Sequence, residues 1–304
     1  MVSFTQVLYP TDLTEASRPA ARYAAAVARW YDARLTVLHV VPTFEPIRVP
    51  ADRHGVAATL VHPPTRDAVE ADMTRALSAE GLTDLEVAVT AAAGDPVRRI
   101  VEHAGSADLI VMGTHGRSGI DRLLSGSVTE GVFRLAPCPV LAVPPQVAAG
   151  GGSEAVFRRI LCPVDFSPAS QRALELALDL ARQANGALTV VSVVEWLAEE
   201  EPLTTAHFNV SEYRQHLIND TRTRLRALLS DESRTWCDID EVVTLGRAHH
   251  EVLRLAADRQ SDLIVMGAQG RGGVSLALFG STTPPVVRGA ACPVLVVRSP
   301  TLPA

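Results

Sequence analysis

Three glycines and a serine in the first half of the chain have the residue types of a phosphate-binding loop. The stretch GTHGRSGIDRLLSGS places Gly113, Gly116, Gly126 and Ser127 at the spacing G-x2-G-x9-G-S. A ribose or a phosphate can approach glycine closely because no Cβ stands in the way, and the start of a helix offers free N–H groups to an anion. The same residue types are common in tight turns, so one copy of the pattern does not decide its role.

The pattern recurs in register within a repeat that covers most of the chain. Residues 108–143 align without a gap to residues 262–297, and VLYPTDLTEAS near the start aligns with ILCPVDFSPAS, which pairs Asp12 with Asp165. A repeat of this length is a whole duplicated domain rather than a solenoid unit. The second copy of the glycine pattern consists of Gly267, Gly270, Gly280 and Ser281.

Composition indicates a globular protein with two domains. The chain has 304 residues, 47% of them hydrophobic, and a net charge of −6, which argues against a nucleic-acid-binding surface. We find no signal-peptide pattern and no apolar run long enough for a membrane span. Its four scattered cysteines fit neither a disulfide framework nor a zinc cluster. We therefore expect a cytoplasmic protein, with a flexible Pro- and Gly-rich linker between domains at 1–147 and 156–304.

Strands alternate with helices in both halves, which predicts a doubly wound parallel α/β sheet, twice. Strands are predicted at 6–10, 34–41, 85–94, 108–113, 138–143, 159–164, 187–194, 239–246, 262–267 and 292–297, and helices at 14–32, 95–107, 168–184 and 211–230. In such sheets a ligand binds at the carboxyl ends of the strands, where the strand order reverses. Asp12, Val40 and Gly113, with Asp165 and Val193, all fall at such strand ends.

These motifs resemble those of the universal stress protein family in its tandem, two-domain form. The resemblance rests on P-T-D and P-V-D after the first strands, the doubled DLIVMG strand, both glycine patterns and the closing CPVLAV and CPVLVV. It implies binding of ATP, often with Mg²⁺, and dimerisation through the last strand, by which the two halves of a tandem chain can pair. It assigns the adenine to Asp12, Val40, Asp165 and Val193, the ribose to Gly113 and Gly267, and the phosphates to Gly116, Gly126, Ser127, Gly270, Gly280 and Ser281.

Several of these residues also have a purely structural interpretation. Asp12 could cap the helix that follows it, and Ser127 with Glu130 forms the S-x-x-E pattern of a capping box. Arg117 and Arg271 follow the second glycine of each pattern and could meet a phosphate or solvent. Valine at Gly113 or Gly126 is expected to abolish nucleotide binding while the fold survives.

Two classes of function are compatible with this fold. One is a nucleotide-binding stress or signalling module, and the other is an ATPase or a nucleotidyl- or phosphoryl-transfer enzyme. An electron-transfer flavoprotein-like domain shares the architecture, but the glycine pattern favours an adenine nucleotide. The sequence shows no P-loop lysine and no paired carboxylates at the phosphate end, which favours binding over catalysis, so no catalytic or metal-ligating residue is predicted.

The two sites are predicted to be unequal. Pro284 and Pro285 follow the second glycine pattern and remove two N–H groups from the first turn of the next helix. The second anion site is therefore expected to be weaker, by about 1 kcal/mol.

Overall fold

The structure, a computed structural model, describes residues 2–41, 65–79, 85–114, 127–147, 157–195, 210–270 and 280–298. The first half contains β1 (Gln6–Thr11), α1 (Arg18–Tyr31), β2 (Arg34–Val41), α2 (Arg66–Ala79), β3 (Val87–Ala93), α3 (Pro96–His103), β4 (Leu109–Gly113), α4 (Ser127–Leu135) and β5 (Val140–Val143). The second half contains β6 (Arg159–Pro163), α5 (Pro168–Ala184), β7 (Ala187–Val194), α6 (Val210–Ala227), α7 (Asp231–Trp236), β8 (Asp238–Leu245), α8 (Ala248–Asp258), β9 (Leu263–Gly267), α9 (Thr283–Gly289) and β10 (Val294–Val297).

The strands form one ten-stranded sheet in the order β3-β2-β1-β4-β5-β10-β9-β6-β7-β8. Within each half every pair of neighbouring strands is parallel. The chain first moves outward from β1 through β2 to β3 and then crosses back to β4 on the other side of β1. The reversal of strand order therefore lies between β1 and β4, and between β6 and β9. The predicted doubly wound α/β fold is confirmed.

Apolar side chains on the two faces of the sheet form two cores, each of which runs through both halves. One contains residues of α1, α2, α5 and α6 and the other residues of α3, α4, α8 and α9. Helix α1 packs closely because it presents alanines at helical spacing, and Ala20, Ala24 and Ala28 are fully buried. Covered on both faces, the inner strands are largely apolar, as expected for parallel sheets, whereas the edge strand β8 has no buried residue.

The halves are joined where β5 and β10 pair antiparallel, with Val294 opposite Ala142 and Val296 opposite Val140. The predicted pairing of the closing strands is thus satisfied within one chain. Side-chain hydrogen bonds also join the halves next to this seam: Arg298 Nη1 donates to the Ala136 carbonyl at 3.1 Å, and Gln146 Nε2 donates to the Ala290 carbonyl at 3.3 Å. The seam therefore carries backbone and side-chain hydrogen bonds as well as buried apolar contacts.

Three of the observed helices, α2, α7 and α8, have no counterpart among the predicted elements, and α4 and α9 were expected only as helices that follow the glycine patterns. In α2 the buried side chains Val69, Met73 and Leu77 recur every four residues in an otherwise polar segment, which is a weak periodic signal. Helix α7 has six residues and no buried side chain, so its sequence has no apolar periodicity to read. Among the helices of the described ranges, none is both long and apolar enough to cross a membrane.

Candidate functional site

The predicted residues of the second half meet at the strand-order reversal between β6 and β9. A cavity of about 750 Å³ opens there at the carboxyl ends of the strands. Its lining includes all six residues that the sequence singled out: Asp165, Val193, Gly267, Gly270, Gly280 and Ser281. Residues more than 110 positions apart in the chain therefore share one concave site, of a size typical for small-molecule ligands.

In the first half, the described residues take the same positions. Asp12 follows β1 directly, Val40 is the penultimate residue of β2, and Gly113 ends β4. Ser127 is the first residue of α4. Gly116 and Gly126 lie outside the described residues, as do Arg117 and Arg271.

The three glycines of the second half differ in what surrounds them. A Cβ on Gly267 would lie 2.8 Å from the backbone carbonyl carbon of Ala169 and from the backbone nitrogen of Ser170, so this glycine is where β9 packs against the start of α5. A Cβ on Gly280 would meet its nearest atom, the nitrogen of Gly270, at 3.4 Å. Gly267 thus has a packing role that the sequence interpretation did not include, whereas Gly280 has room beside it.

Gly270 and Gly280 lie close to each other and to the turn that follows β6, the first strand of the second half. The Gly280 N–H donates to the Ala268 carbonyl at 3.2 Å. A Cβ on Gly270 would lie 2.8 Å from Asp165 Oδ2. The backbone around these glycines therefore lies beside the carboxylate that follows β6, and together they form one wall of the cavity.

The aspartates are held by the turn that follows the first strand of each half. Asp165 Oδ1 accepts hydrogen bonds from the Ser167 N–H at 3.0 Å and the Ser167 hydroxyl at 2.6 Å. Asp12 Oδ1 accepts the same two bonds from Thr14, at 3.0 and 2.7 Å. Each aspartate thus caps a turn with one of its two oxygens. This agrees in part with the structural interpretation of Asp12, which expected this residue to cap the helix that follows it.

The second oxygen of Asp12 has a different environment. Asp12 Oδ2 is buried and has no hydrogen-bond partner among the described residues. A buried acceptor without a donor is costly, so this atom is suited to accept a hydrogen bond from a ligand.

The residue after each aspartate adopts a left-handed backbone conformation. Leu13 has φ of 62° and Phe166 has φ of 65°, a region that non-glycine residues seldom occupy. Such strain persists when the surrounding structure imposes it, and it is concentrated at functional sites. The two halves share this feature although the residues differ.

The helices after the glycine patterns are tied to the strand ends by two buried threonines. Thr129 Oγ1 donates to the Gly113 carbonyl at 3.1 Å, and Thr283 Oγ1 donates to the Gly267 carbonyl at 3.0 Å. The sequence interpretation did not use this pair, although both threonines stand at the same place in the repeat. They fix the start of each helix beside the carboxyl end of its strand.

The observed start of α4 corrects one local expectation, and the start of α9 places the two prolines within its first turn, as expected. Ser127 is already helical, so it does not precede the helix as a capping box requires. Glu130 instead pairs with Arg134 at 2.8 Å. Helix α9 begins at Thr283, which places Pro284 and Pro285 at its second and third positions, so neither takes the most favourable first position.

Other residues of the site carried no recognisable signal in the sequence. Glu195 lines the cavity, and its Oε1 accepts the Ala248 N–H at 3.0 Å, at the start of α8. Ser192 on β7 lines the cavity as well, and the equivalent residue on β2 is His39, 5% exposed, whose Nδ1 lies 2.7 Å from the Thr11 carbonyl oxygen. The two halves thus differ at a position beside the site.

Neither a metal centre nor a reactive thiol is evident in the described part of the chain. Within those residues, no group of three or more His, Cys, Asp or Glu side chains is placed to hold a metal ion. Burial raises the pKa of the Cys138 and Cys292 thiols to about 12. Both thiols therefore stay protonated at neutral pH and have little nucleophilic character.

Comparison with known proteins identifies the same family in both halves of the chain. The profile of the Universal stress protein family matches residues 3–144 and again residues 157–298. A universal stress protein from Mycolicibacterium smegmatis is 27% identical over 300 residues, which is 96% of each chain. One from Methanocaldococcus jannaschii is 32% identical over 143 residues, 46% of this chain and 82% of the relative. The crystal structure of a universal stress protein from Archaeoglobus fulgidus superimposes with a TM-score of 0.64 at 23% identity, covering 96% of this chain and 98% of that one.

Proposed function

Because this chain belongs to the universal stress protein family, with two of its domains in tandem, we propose that it binds ATP or another adenine nucleotide at one or both domains. We further propose that it acts in the cytoplasm as a stress-response or signalling module rather than as a catalyst. The observation that carries this proposal is the convergence of six predicted residues on one cavity in the second half.

The chemistry of the site suits an adenine nucleotide. Asp12 Oδ2 is a buried acceptor that lacks a donor among the described residues, and the amino group of adenine or a ribose hydroxyl would supply one. Val40 and Val193 offer apolar surface to the base. The backbone of Gly280 leaves space that a phosphate can enter, since a Cβ there would meet no atom of the described residues closer than 3.4 Å.

In the proposed complex the residues of the chain bind and orient the nucleotide. Gly270, Gly280 and Ser281 would present backbone groups and a hydroxyl to the phosphates, with the start of α9 next to them, and Mg²⁺ would arrive with the phosphates of ATP. Catalysis of phosphoryl transfer would in addition require a group that positions the attacking water or nucleophile. Incubating the pure protein with labelled ATP separates the two classes: bound ATP without product supports the binding module, and multiple turnovers contradict it.

Valine at Gly280 is expected to remove nucleotide from the second site while the fold persists. The first atom of the side chain fits, because its nearest neighbour is 3.4 Å away, at Gly270. Its methyl groups would then fill the space of a phosphate. We expect equilibrium dialysis with labelled ATP to show loss of the second site, and the free energy of unfolding to change by no more than about 1 kcal/mol.

Gly105→Val is the matched control for this measurement. A Cβ on Gly105 would meet no atom of the described ranges within 4 Å, and this glycine lies in the turn after α3, away from the glycine patterns. The control should bind ATP as the unmodified protein does. Unchanged binding at the second site with valine at Gly280 would contradict the proposed cradle.

A further inference from the structure

One wall of the second cavity comes from a helix that no motif includes. Leu217, Asp220, Thr221 and Arg224 recur at helical spacing on α6, and all four line the cavity. The guanidinium carbon of Arg224 lies 4.0 Å from the centre of the Phe166 ring, and Phe166 directly follows Asp165. Arg224 is therefore held next to the strained turn that carries the aspartate of the site.

The stacked placement of Arg224 allows its hydrogen-bonding edge to face an anion. A guanidinium that stacks on an aromatic face keeps its N–H donors in its own plane, where they can bind a phosphate. The backbone at Gly270 is close to the same turn, since a Cβ there would lie 2.8 Å from Asp165 Oδ2. Arg224 and the glycine wall thus approach the same carboxylate.

The charges around the cavity make this arginine important for a phosphate. Asp165, Glu195 and Asp220 all line the cavity, and Arg224 is the basic residue among the described residues that do so. Three carboxylates disfavour a polyphosphate, although Asp165 accepts hydrogen bonds from Ser167 and Glu195 accepts one from Ala248. A nearby guanidinium offsets this repulsion through charge-assisted hydrogen bonds to the phosphate.

The first half carries the opposite charge at the equivalent place. Helices α2 and α6 pack against the core in the same way. Met73 of α2 and Leu225 of α6 are both fully buried, and another buried leucine follows each of them four residues later, Leu77 and Leu229 respectively. The residue immediately before the first of these buried side chains is Arg224 on α6 and Asp72 on α2. Asp72 is exposed and pairs with Arg75 at 3.1 Å. The duplicated domain therefore differs by a charge reversal at this wall.

We propose that Arg224 is a specificity-determining residue of the second site, contacting a phosphate of the bound nucleotide from α6 so that this site selects nucleotides by their number of phosphates. The inference rests on the proposed function, because it assumes that an adenine nucleotide occupies the cavity. The proposed contact from Arg224 also opposes the weakening of the second anion site that Pro284 and Pro285 are expected to cause. A charged hydrogen bond contributes more than one helix-terminus interaction, so Arg224 would offset the weakening expected from the two prolines.

The test is a titration of the full-length protein in which Gly126→Val disables the first site. In that background, Arg224→Gln should weaken ATP binding about tenfold, the scale of one charge-assisted hydrogen bond at a solvent-accessible site. Adenosine binding should change less than about twofold, because adenosine has no phosphate. Arg224→Lys should retain part of the ATP affinity, and Arg224→Asp, which copies the first half, should lose more than Arg224→Gln.

Arg222→Gln is the matched control, because it removes the same charge from an exposed position of α6 that does not line the cavity. If Arg224→Gln leaves ATP affinity unchanged, or weakens ATP and adenosine equally, the role of Arg224 is refuted while nucleotide binding stands. If the parent variant binds neither ATP nor adenosine, although circular dichroism shows it folded, the proposed function of this site fails as well.

Discussion

Replacing Val294 with aspartate should lower the free energy of unfolding by about 4 kcal/mol or more. Val294 is fully buried in β10, between Ala142 of β5 on one side and Ile264 of β9 on the other. An aspartate there would be surrounded by apolar side chains of both halves, without a partner for its charge. Changes of this size are exceptional and arise when an unpaired charge enters a core.

Chemical denaturation followed by circular dichroism measures this effect. Val294→Ile is the matched control, since a similar apolar side chain should cost less than about 1.5 kcal/mol. The same charge on the surface, as in Thr223→Asp on the exposed side of α6, should change stability by about 0.5 kcal/mol or less. A Val294→Asp protein within about 1 kcal/mol of the unmodified one would mean that the seam between β5 and β10 opens to water in solution.

Gly267→Ala should destabilise the protein by about 2–3 kcal/mol, although it adds a single methyl group. That methyl would lie 2.8 Å from backbone atoms of Ala169 and Ser170, and backbone cannot move aside as a side chain tip can. Helix α5 would have to shift away from β9, and with it the turn that holds Asp165. The expectation that valine at the first glycine of the pattern spares the fold is therefore revised for this half.

Gly280→Ala provides the comparison within the same motif. Its added methyl would have 3.4 Å to the nearest atom, so its free energy of unfolding should stay within about 1 kcal/mol of the unmodified protein. Thermal and denaturant unfolding of the two alanine variants side by side measures the difference. Equal stability of the two variants would refute the packing role assigned to Gly267.

The fold could be predicted from the sequence because its signals are local and appear twice. The strands 34–41 and 187–194 were predicted with the bounds that the structure shows, because continuous apolar, β-branched runs flanked by polar residues have sharp ends. Helix α5 was likewise predicted at 168–184, since Ser167 caps it and Pro168 begins it. The order of the strands was not predicted and is read from the structure.

The remaining features depend on contacts between distant residues. The role of Gly267 arises from the approach of α5, about 100 residues earlier in the chain, and a glycine by itself does not show what it packs against. The repeat, which identifies the glycines, does not mark Arg224, because the first half has aspartate at the equivalent position. Residues shared by the two halves could be found by comparing them, whereas residues that distinguish the halves required the three-dimensional arrangement.

The antiparallel seam between β5 and β10 also has a consequence for evolution. Two separate copies that met through this edge would form a symmetric dimer, in which a substitution necessarily appears in both subunits. In the tandem chain the halves are tethered, so they pair at a high effective concentration whatever the amount of protein in the cell. Each molecule is in effect an obligate heterodimer with fixed stoichiometry. Asp72 and Arg224 could therefore diverge to opposite charges within one molecule.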